Sequence, residues 1–319
     1  MIVVGELGPE RLVVAVLTYR RPDRIAALVP VLVARAGELA RSVEGVVTSV
    51  LVVDNDAAGT GAAAVEGLGA ETVVEPEPGI SAARNRALET ARDHDLLVFI
   101  DDDEVPSEGW LSALHATYRA TRAAAVAGPV VSRYTTEPEP WVVAGGFYDR
   151  AHRRGLETGT RVPIAATNNL LLDLRVVRRA GVTFDPALGL SGGEDTHFTS
   201  ALSAAGGRIV WCAEAVVSDV VPAERLTRGY LLARSAALAN ASARVALMLA
   251  PSRLARARVR ARTLSVSLAR GAIGAAQVAL AAVRSDVRGD ARGRRSLARS
   301  RGELLAVVGQ VLMPYARQG

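Results

Sequence analysis

The chain reads as an α/β protein: a mainly parallel sheet flanked by helices, with a helical extension at its C-terminal end. Three observations lead to that reading. Strand-like and helix-like segments alternate through the first half. Residues 96–100 (Leu-Leu-Val-Phe-Ile) form an unbroken apolar run, the mark of a strand buried on both faces, and Asp101, Asp102, Asp103 and Glu104 follow at once. From Glu224 onward the pattern is helical.

In chain order, residues 12–17 are the first strand. Pro22 starts a helix that runs through Leu32 and Val33, with Pro30 an expected kink or break. Residues 46–53 form the second strand, ending at Asp54-Asn55-Asp56, and a short helix at 62–68 leads to a third strand at 71–74. Ser81 is expected to cap a helix reaching about Arg92. After the apolar run at 96–100, Ser107 opens the next helix and 123–131 form a fifth strand. Such alternation calls for parallel strands with right-handed crossovers. Residues 133–165, rich in Glu, Pro, Gly and Arg, read as a long loop or subdomain. A strand at 168–172, a short helix at 175–180, a flexible stretch at 189–193 before a helix, and late strands at 208–212 and 215–221 complete the body.

The tail has its own pattern. Leu254, Ala257, Ala261, Leu264 and Leu268 recur at i, i+3, i+7, i+10 and i+14, bordered by Arg253, Arg256 and Arg260, with Arg258 and Arg262 further round. That is a basic amphipathic helix of a kind that lies on membrane surfaces. Residues 271–283 are apolar but too few to span a bilayer, and no unbroken apolar run reaches about 18 residues, so no transmembrane helix is expected. A second basic stretch covers 288–301. The plainer alternative is a helical pair packed on the body with a solvated basic face.

Composition narrows the class. The 319 residues suffice for one large α/β domain plus an appendage, and half of them are hydrophobic. All 38 basic residues are Arg, and the Ala/Arg/Gly bias reads as the mark of a GC-rich, actinobacterial genome rather than of function. The single cysteine, Cys212, excludes an internal disulfide or a Cys-rich zinc site and suits a reducing cytoplasm. Glu6 and the lack of a basic n-region argue against a secretory leader. The net charge of +5 is unevenly spread: residues 1–221 hold 20 Arg and 29 acids, whereas 222–319 hold 18 Arg and 4 acids. A basic tail on an acidic body calls for an anionic partner. The tail lacks the aromatic platforms of single-strand binders, so nucleic acid is not expected.

Five segments carry the chemistry. Four carboxylates at a strand end repel one another, which a divalent cation among them would relieve, and hard oxygen donors suit Mg²⁺ or Mn²⁺ together with substrate phosphates; the plainer alternative is a solvated acidic turn that caps the next helix at Ser107. The first strand ends at Thr18-Tyr19-Arg20-Arg21, a polar loop at a helix start that can hold phosphate and a base. Asp54, at the second strand end, can accept from a ribose or nucleobase N–H, or can simply cap a turn. Gly79-Ile80-Ser81-Ala82-Ala83-Arg84 combines a helix start with a guanidinium able to meet diphosphate. Glu194-Asp195, after Gly192-Gly193, sets a carboxylate at a helix start behind mobile glycines, where a general base can close over an acceptor.

In this order and spacing, with Gly109-Trp110-Leu111 and Asn168-Asn169-Leu170, the chain resembles the family 2 glycosyltransferases of the GT-A fold across about residues 10–240. The resemblance implies that Thr18, Tyr19 and Arg21 meet the nucleotide, that Asp54 holds the uracil or ribose, and that Arg84, with Ser81 beside it, faces the diphosphate. It makes Asp101, Asp102 and Asp103 a DXD-type motif, with Asp103 as direct metal ligand and Asp101 or Asp102 as the ribose or second contact. It makes Asp195 the catalytic base and Glu194 the acid that orients the acceptor. Asn168, Asn169 and Trp110 fall on the acceptor or donor-sugar side, and His197 could touch the metal or diphosphate.

The implied activity is inverting transfer from a nucleoside-diphosphate sugar, UDP-linked first, to a hydroxyl of a glycan, lipid-linked or natural-product acceptor, with Mn²⁺ or Mg²⁺ as cofactor. The implied division is a GT-A catalytic domain over 1–222, with a nucleotide-sugar half at about 10–131 and an acceptor half at about 132–222, and a basic amphipathic helical extension over 223–319. A cytoplasmic protein is expected, peripheral on the inner face of the plasma membrane where 250–301 meet an anionic surface, with a homodimer as the other expected partner. The rival readings are a nucleotidyltransferase of the same fold and a catalytically silent nucleotide-sugar-binding or membrane-docking protein. The first usually has a Gly-rich loop with a Lys, and this chain has no Lys. No Gly-x-Gly-x-x-Gly follows the first strand, which argues against a dehydrogenase.

Overall fold

A computed structural model describes residues 8–149 and 153–314. The segment that carries Glu6, on which the leader reading rests, lies outside the described residues. The chain divides into two compact units. The first comprises residues up to Val131, Gly155–Pro186 and Phe198–Asp219; the second comprises Ser132–Arg154, Ala187–His197 and Val220–Gly319.

The first unit is built on a seven-stranded sheet. In chain order its strands and helices are β1 (Glu10–Thr18), α1 (Pro22–Ser42), β2 (Val46–Asp54), α2 (Thr60–Ala64), β3 (Glu71–Val74), α3 (Ile80–Thr90), β4 (Leu96–Asp101), β5 (Glu104–Pro106), α4 (Trp110–Thr121), β6 (Ala125–Ala127), β7 (Val130–Tyr134), β8 (Asn169–Asp173), α6 (Leu174–Ala180), α7 (Glu194–Ala204), β9 (Ile209–Trp211) and β10 (Val217–Val221). The first turn of α7 and the ends of β7 and β10 fall to the second unit. The sheet order is β3-β2-β1-β4-β8-β6-β9. Strands β1 to β4 are parallel, β6 is parallel to β9, and β8 runs antiparallel between β4 and β6. The mainly parallel α/β fold is therefore as expected.

Alternation explains the layers. On β1, Leu12, Val14 and Val16 join the core formed with Ile25, Val29 and Leu32 of α1 and Trp110 and Leu114 of α4. The intervening Val13 and Ala15 join the opposite core with Ala83 and Ala87 of α3, Phe184 and Phe198. A strand apolar at every position is thus required, because both faces are covered.

Several boundaries differ from the sequence reading. Helix α1 continues unbroken through Pro30 to Ser42. Pro30 is exposed, so the carbonyl it frees is on the water side. Ser81 does not cap α3; Gly79 does, at φ 120°, a backbone state that favours glycine. Helix α4 starts at Trp110 rather than Ser107, because Glu104–Pro106 form β5, which pairs antiparallel with β10. The expected fifth strand splits at Gly128-Pro129 into β6, in the main sheet, and β7, in a three-stranded sheet of order β5-β10-β7. Pro129 offers no N–H to continue a ladder.

The second unit is helical: α5 (Pro140–Gly145), α8 (Arg228–Met248), α9 (Arg253–Arg284) and α10 (Val287–Val307). A small core gathers Trp141, Val142, Phe147, Val221, Leu226, Leu231 and Ala291. Trp141 Nε1 donates to Asp290 Oδ2 at 2.8 Å, and Arg295 donates to the carbonyls of Gly145 and Gly146 at 2.9 and 2.7 Å, closing the C-terminal end of α5. Asn240 of α8 donates to the carbonyls of Gly302 and Gln310 at 3.0 Å each. Helix α9 corrects the reading of the tail. It is one continuous 32-residue helix, and it contains an 18-residue window long and apolar enough to cross a membrane by length and composition. Arg270 interrupts the apolar stretch, so the unbroken run visible in the sequence is shorter than the helix.

Candidate active site

Parallel pairing brings the strand ends of the first unit together. Leu17 of β1 pairs with Asp101 of β4, and Thr18 pairs with Asp54 of β2. Ligands in open α/β sheets bind at this carboxyl edge.

The four acids divide into two roles. Asp102 is buried; its Oδ1 accepts from Arg21 at 2.6 Å and its Oδ2 from Thr18 Oγ1 at 3.0 Å. Burial raises its pKa, with the Asp103 charge adding to the rise and Arg21 and Thr18 opposing it. Glu104 is also buried; it accepts from Asn168 Nδ2 at 2.6 Å and from the Asp101 N–H at 3.2 Å. Burial first, then the charges of Asp101, Asp103 and Asp219, push its pKa well up. Asp102 and Glu104 therefore hold the turn. Asp101 and Asp103, on alternate residues, carry the remaining carboxylates, with side chains 37% and 14% exposed. Arg84 lies 3.8 Å from Asp101, and Arg21 and Arg24 lie 3.7 and 3.9 Å from Asp103.

Among the described residues no group of three or more His, Cys, Asp or Glu side chains forms a cage. Asp101 and Asp103 offer two hard oxygen donors, each with an arginine within 4 Å, so a cation such as Mg²⁺ held there would share them with those guanidinium groups and take its other donors from water and substrate phosphates.

Helix α3 supplies the opposite wall. Asn55 donates to the carbonyls of Glu75 and Glu77 at 2.8 and 2.6 Å and accepts from Gly79 N at 3.0 Å, tying the loop ahead of α3 to the end of β2. Ser81 is fully buried, and its Oγ has no hydrogen-bond partner among the described residues. Arg84 is 4% exposed and rests over the ring of Phe184 at 5.5 Å. Phe184 stacks on Phe198 at 4.2 Å and meets Phe99 edge-on at 5.9 Å. Asn85 fixes Phe184 through its backbone, donating to its carbonyl at 2.8 Å and accepting from its N–H at 2.9 Å.

Other expected residues have different surroundings. Asp54 is buried and accepts from the N–H groups of Asp56, Gly61 and Ala62 at 3.0, 2.7 and 3.0 Å, so it caps α2. Trp110 and Asn169 are not brought to a sugar-facing surface. Both are buried; Trp110 Nε1 donates to Asn169 Oδ1 at 2.8 Å, and Asn169 donates to the carbonyls of Pro129 and Ala215 at 3.1 and 2.7 Å. The pair is an internal tie, and its polar groups are already satisfied. Asn168, half-buried, faces Glu104 instead. Tyr19 lies under the Arg20 guanidinium at 5.2 Å, and Arg20 takes a left-handed φ of 52° that turns the chain from β1 into α1.

In the second unit, Glu194 is buried, and Asp195 accepts from its neighbour Thr196, N–H at 2.6 Å and Oγ1 at 3.3 Å. Of the preceding glycines, Gly193 packs closely against α8. Gly192 and Gly193 have φ of 77° and 93°, and a Cβ on Gly193 would lie 3.0 Å from Val245 and 3.3 Å from Ala241 of α8. Their conformation and the close approach of α8 require glycine there. His197 has a buried Nδ1 with no hydrogen-bond partner among the described residues. A recess of Tyr118, Arg122, Asp173, Arg175, Arg178 and Arg179 lies at the amino end of β4, away from the acids.

The residues missed from sequence are Arg24, Asn55 and Phe184. Arg24 was within reach, one helical turn after Arg21. The partners of Asn55 and Phe184 lie 14 to 100 positions away, and no local signal marks them.

Residues 9–241 match the model of the family described as "Glycosyltransferase like family 2". The chain is 36% identical over 230 residues to the succinoglycan biosynthesis protein ExoM of Rhizobium meliloti (strain 1021), covering 69% of this chain and 70% of that one. A crystal structure of GalNAc-T7 with UDP, GalNAc and Mn²⁺ matches with a TM-score of 0.53 at 14% identity, over 76% of this chain. This chain spans 48% of that structure's length. S. aureus TarS matches at a TM-score of 0.49 and 14% identity, over 78% of this chain and 41% of its own. The chain belongs to glycosyltransferase-like family 2 and has the fold of GT-A glycosyltransferases. It is a glycosyltransferase, which sets aside the silent-binder and nucleotidyltransferase readings.

Proposed function

We propose that the protein transfers a sugar from a nucleoside-diphosphate sugar to a hydroxyl of a glycan acceptor, with inversion at the anomeric carbon. The observation that carries this reading is the pairing of Arg84 with Asp101, beside Asp103, at the carboxyl edge of the sheet. A buried guanidinium and two carboxylates on one edge suit a diphosphate bound together with a cation.

In this reading Thr18, Tyr19 and Arg21 line the nucleotide side, with Asp54 setting the loop that receives the base. Arg84 and the start of α3 with Ser81 face the diphosphate. Asp101 and Asp103 hold Mn²⁺ or Mg²⁺, which when bound supplies positive charge to the leaving diphosphate. Asp195 takes the proton from the attacking hydroxyl, and Glu194 orients the acceptor; both roles rest on the match of their motif to the family. The C–O bond to the diphosphate breaks as the new glycosidic C–O bond forms, and the acceptor proton ends on Asp195.

Uridine diphosphate is the first nucleotide to test, because the GalNAc-T7 structure of the same fold holds UDP and Mn²⁺. The name of the ExoM relative, a succinoglycan biosynthesis protein, favours a glycan acceptor over a small natural product. We read residues 1–222 as the catalytic part and 223–319 as its extension. A thermal-shift series with UDP, dTDP, GDP and ADP, each with Mn²⁺ or EDTA, tests the donor side. The melting temperature rises with ln(1 + [L]/Kd) for a ligand of the native state. A cation-dependent rise with one nucleotide supports the reading; no rise with any of them contradicts it.

A further inference from the structure

The outer face of α9 is apolar and exposed, and nothing in the proposed chemistry uses it. From Leu264 to Val283 it exposes Leu268, Ile273, Leu280 and Val283, the last 84% exposed. Twenty helical residues extend about 30 Å. The single charge in this stretch, Arg270, is turned away and paired with Glu303 of α10, which also accepts from Ser267 Oγ at 2.9 Å. The inner face is fastened to α10 by small residues: a Cβ on Gly274 would lie 2.9 Å from the Gly293 carbonyl, and one on Gly271 2.9 Å from Ser300 Oγ. The apolar side is thus held outward by a close seam on the other side.

Arginines bracket the apolar face. Arg256, Arg258, Arg260 and Arg262 precede it and Arg284 and Arg288 follow it. Arg258 and Arg262 lie one turn apart, and both are exposed. Apolar centre and cationic ends match the acyl boundary and headgroups of an anionic bilayer. A second copy of this chain matches poorly, since residues 222–319 carry 18 Arg against 4 acids and two such surfaces repel. Spanning is disfavoured by the partner helix: α10, packed along α9, carries Arg288, Arg292, Arg294, Arg295, Arg299 and Arg301. Insertion of α9 would pull that charge into hydrocarbon.

We propose that the outer face of α9 lies in the interface of an anionic lipid bilayer and docks the protein there. The test is co-sedimentation of the full chain with vesicles of phosphatidylcholine alone and of phosphatidylcholine mixed with phosphatidylglycerol, in low and high salt. Binding to the mixed vesicles, weakened by salt, is expected. Leu268→Glu/Ile273→Glu and Arg258→Gln/Arg262→Gln should each weaken it by about tenfold or more, with unchanged melting temperature because these side chains are exposed. Absence of binding to the mixed vesicles overturns the proposal. Equal binding to both vesicle types that resists alkaline carbonate would mean a spanning helix and overturns it too. A dimer in light scattering that Leu268→Glu/Ile273→Glu dissociates, without vesicle binding, would assign the face to a second copy instead.

Discussion

The Arg84 guanidinium lies 3.8 Å from Asp101 Oδ1 while resting over the Phe184 ring at 5.5 Å. One contact gives it an anionic neighbour and the other fixes its plane. Arg84 is buried, so its direction is set by packing and not by solvent. Replacing it with Lys keeps the charge and loses the planar fork. Arg84→Lys should weaken diphosphate binding about tenfold, by analogy with other lost charge-assisted contacts. Calorimetric titration with the nucleoside diphosphate measures it.

Phe184 holds that geometry from behind. Phe184→Ala removes a fully buried ring stacked on Phe198 and should cost about 3–5 kcal/mol of stability. Phe184→Leu keeps most of the volume and loses the ring face. Its expected signature is a raised donor KM with kcat changed less, read from initial rates over a donor series.

The acid cluster should respond unequally to substitution. Asp102 is spent on Thr18 and Arg21, so Asp102→Ala should lower stability by about 1–3 kcal/mol through the partners it strands. Asp103→Asn should instead leave stability nearly unchanged and remove the effect of EDTA on donor binding. Urea unfolding together with donor titration separates the two outcomes.

The seam between α9 and α10 has no room for a side chain at Gly274. Gly274→Leu should destabilise the C-terminal helices by about 1–3 kcal/mol or more from overpacking. Hydrogen exchange of α9 and α10 amides reports the loss locally.

His94 sets a pH dependence away from the acids. Burial, with Arg11 adding to it, lowers its pKa below 6.5, so the folded state favours the neutral ring. Its contribution is present above the unfolded value and is lost as pH falls through the lowered one. Urea midpoints should decline from about pH 7 toward pH 5, and His94→Gln should flatten that part of the decline.

Much of this architecture is legible in local pattern. Strands β1, β2 and β4 show as apolar runs because both faces are covered, and the acids announce themselves by being adjacent. What escapes local pattern is set by distant partners. Asn169 resembles a sugar contact until the Trp110 indole and two carbonyls are seen to use it up. Gly193 reads as free to move until α8 is found against it. Asp54 shows as a strand-end acid, but only the fold reveals three backbone donors converging on its carboxylate. The length of α9 was hidden by one arginine, Arg270, whose charge is answered by Glu303, 33 residues later.

The most direct test of the account is the turnover of Asp195→Asn at saturating donor with a glycan acceptor. The account predicts that release of nucleoside diphosphate falls by about 10²–10⁴-fold, the usual worth of a general base, while the donor Kd is unchanged. Turnover within a few-fold of the unaltered protein would contradict the assignment of Asp195 as the base.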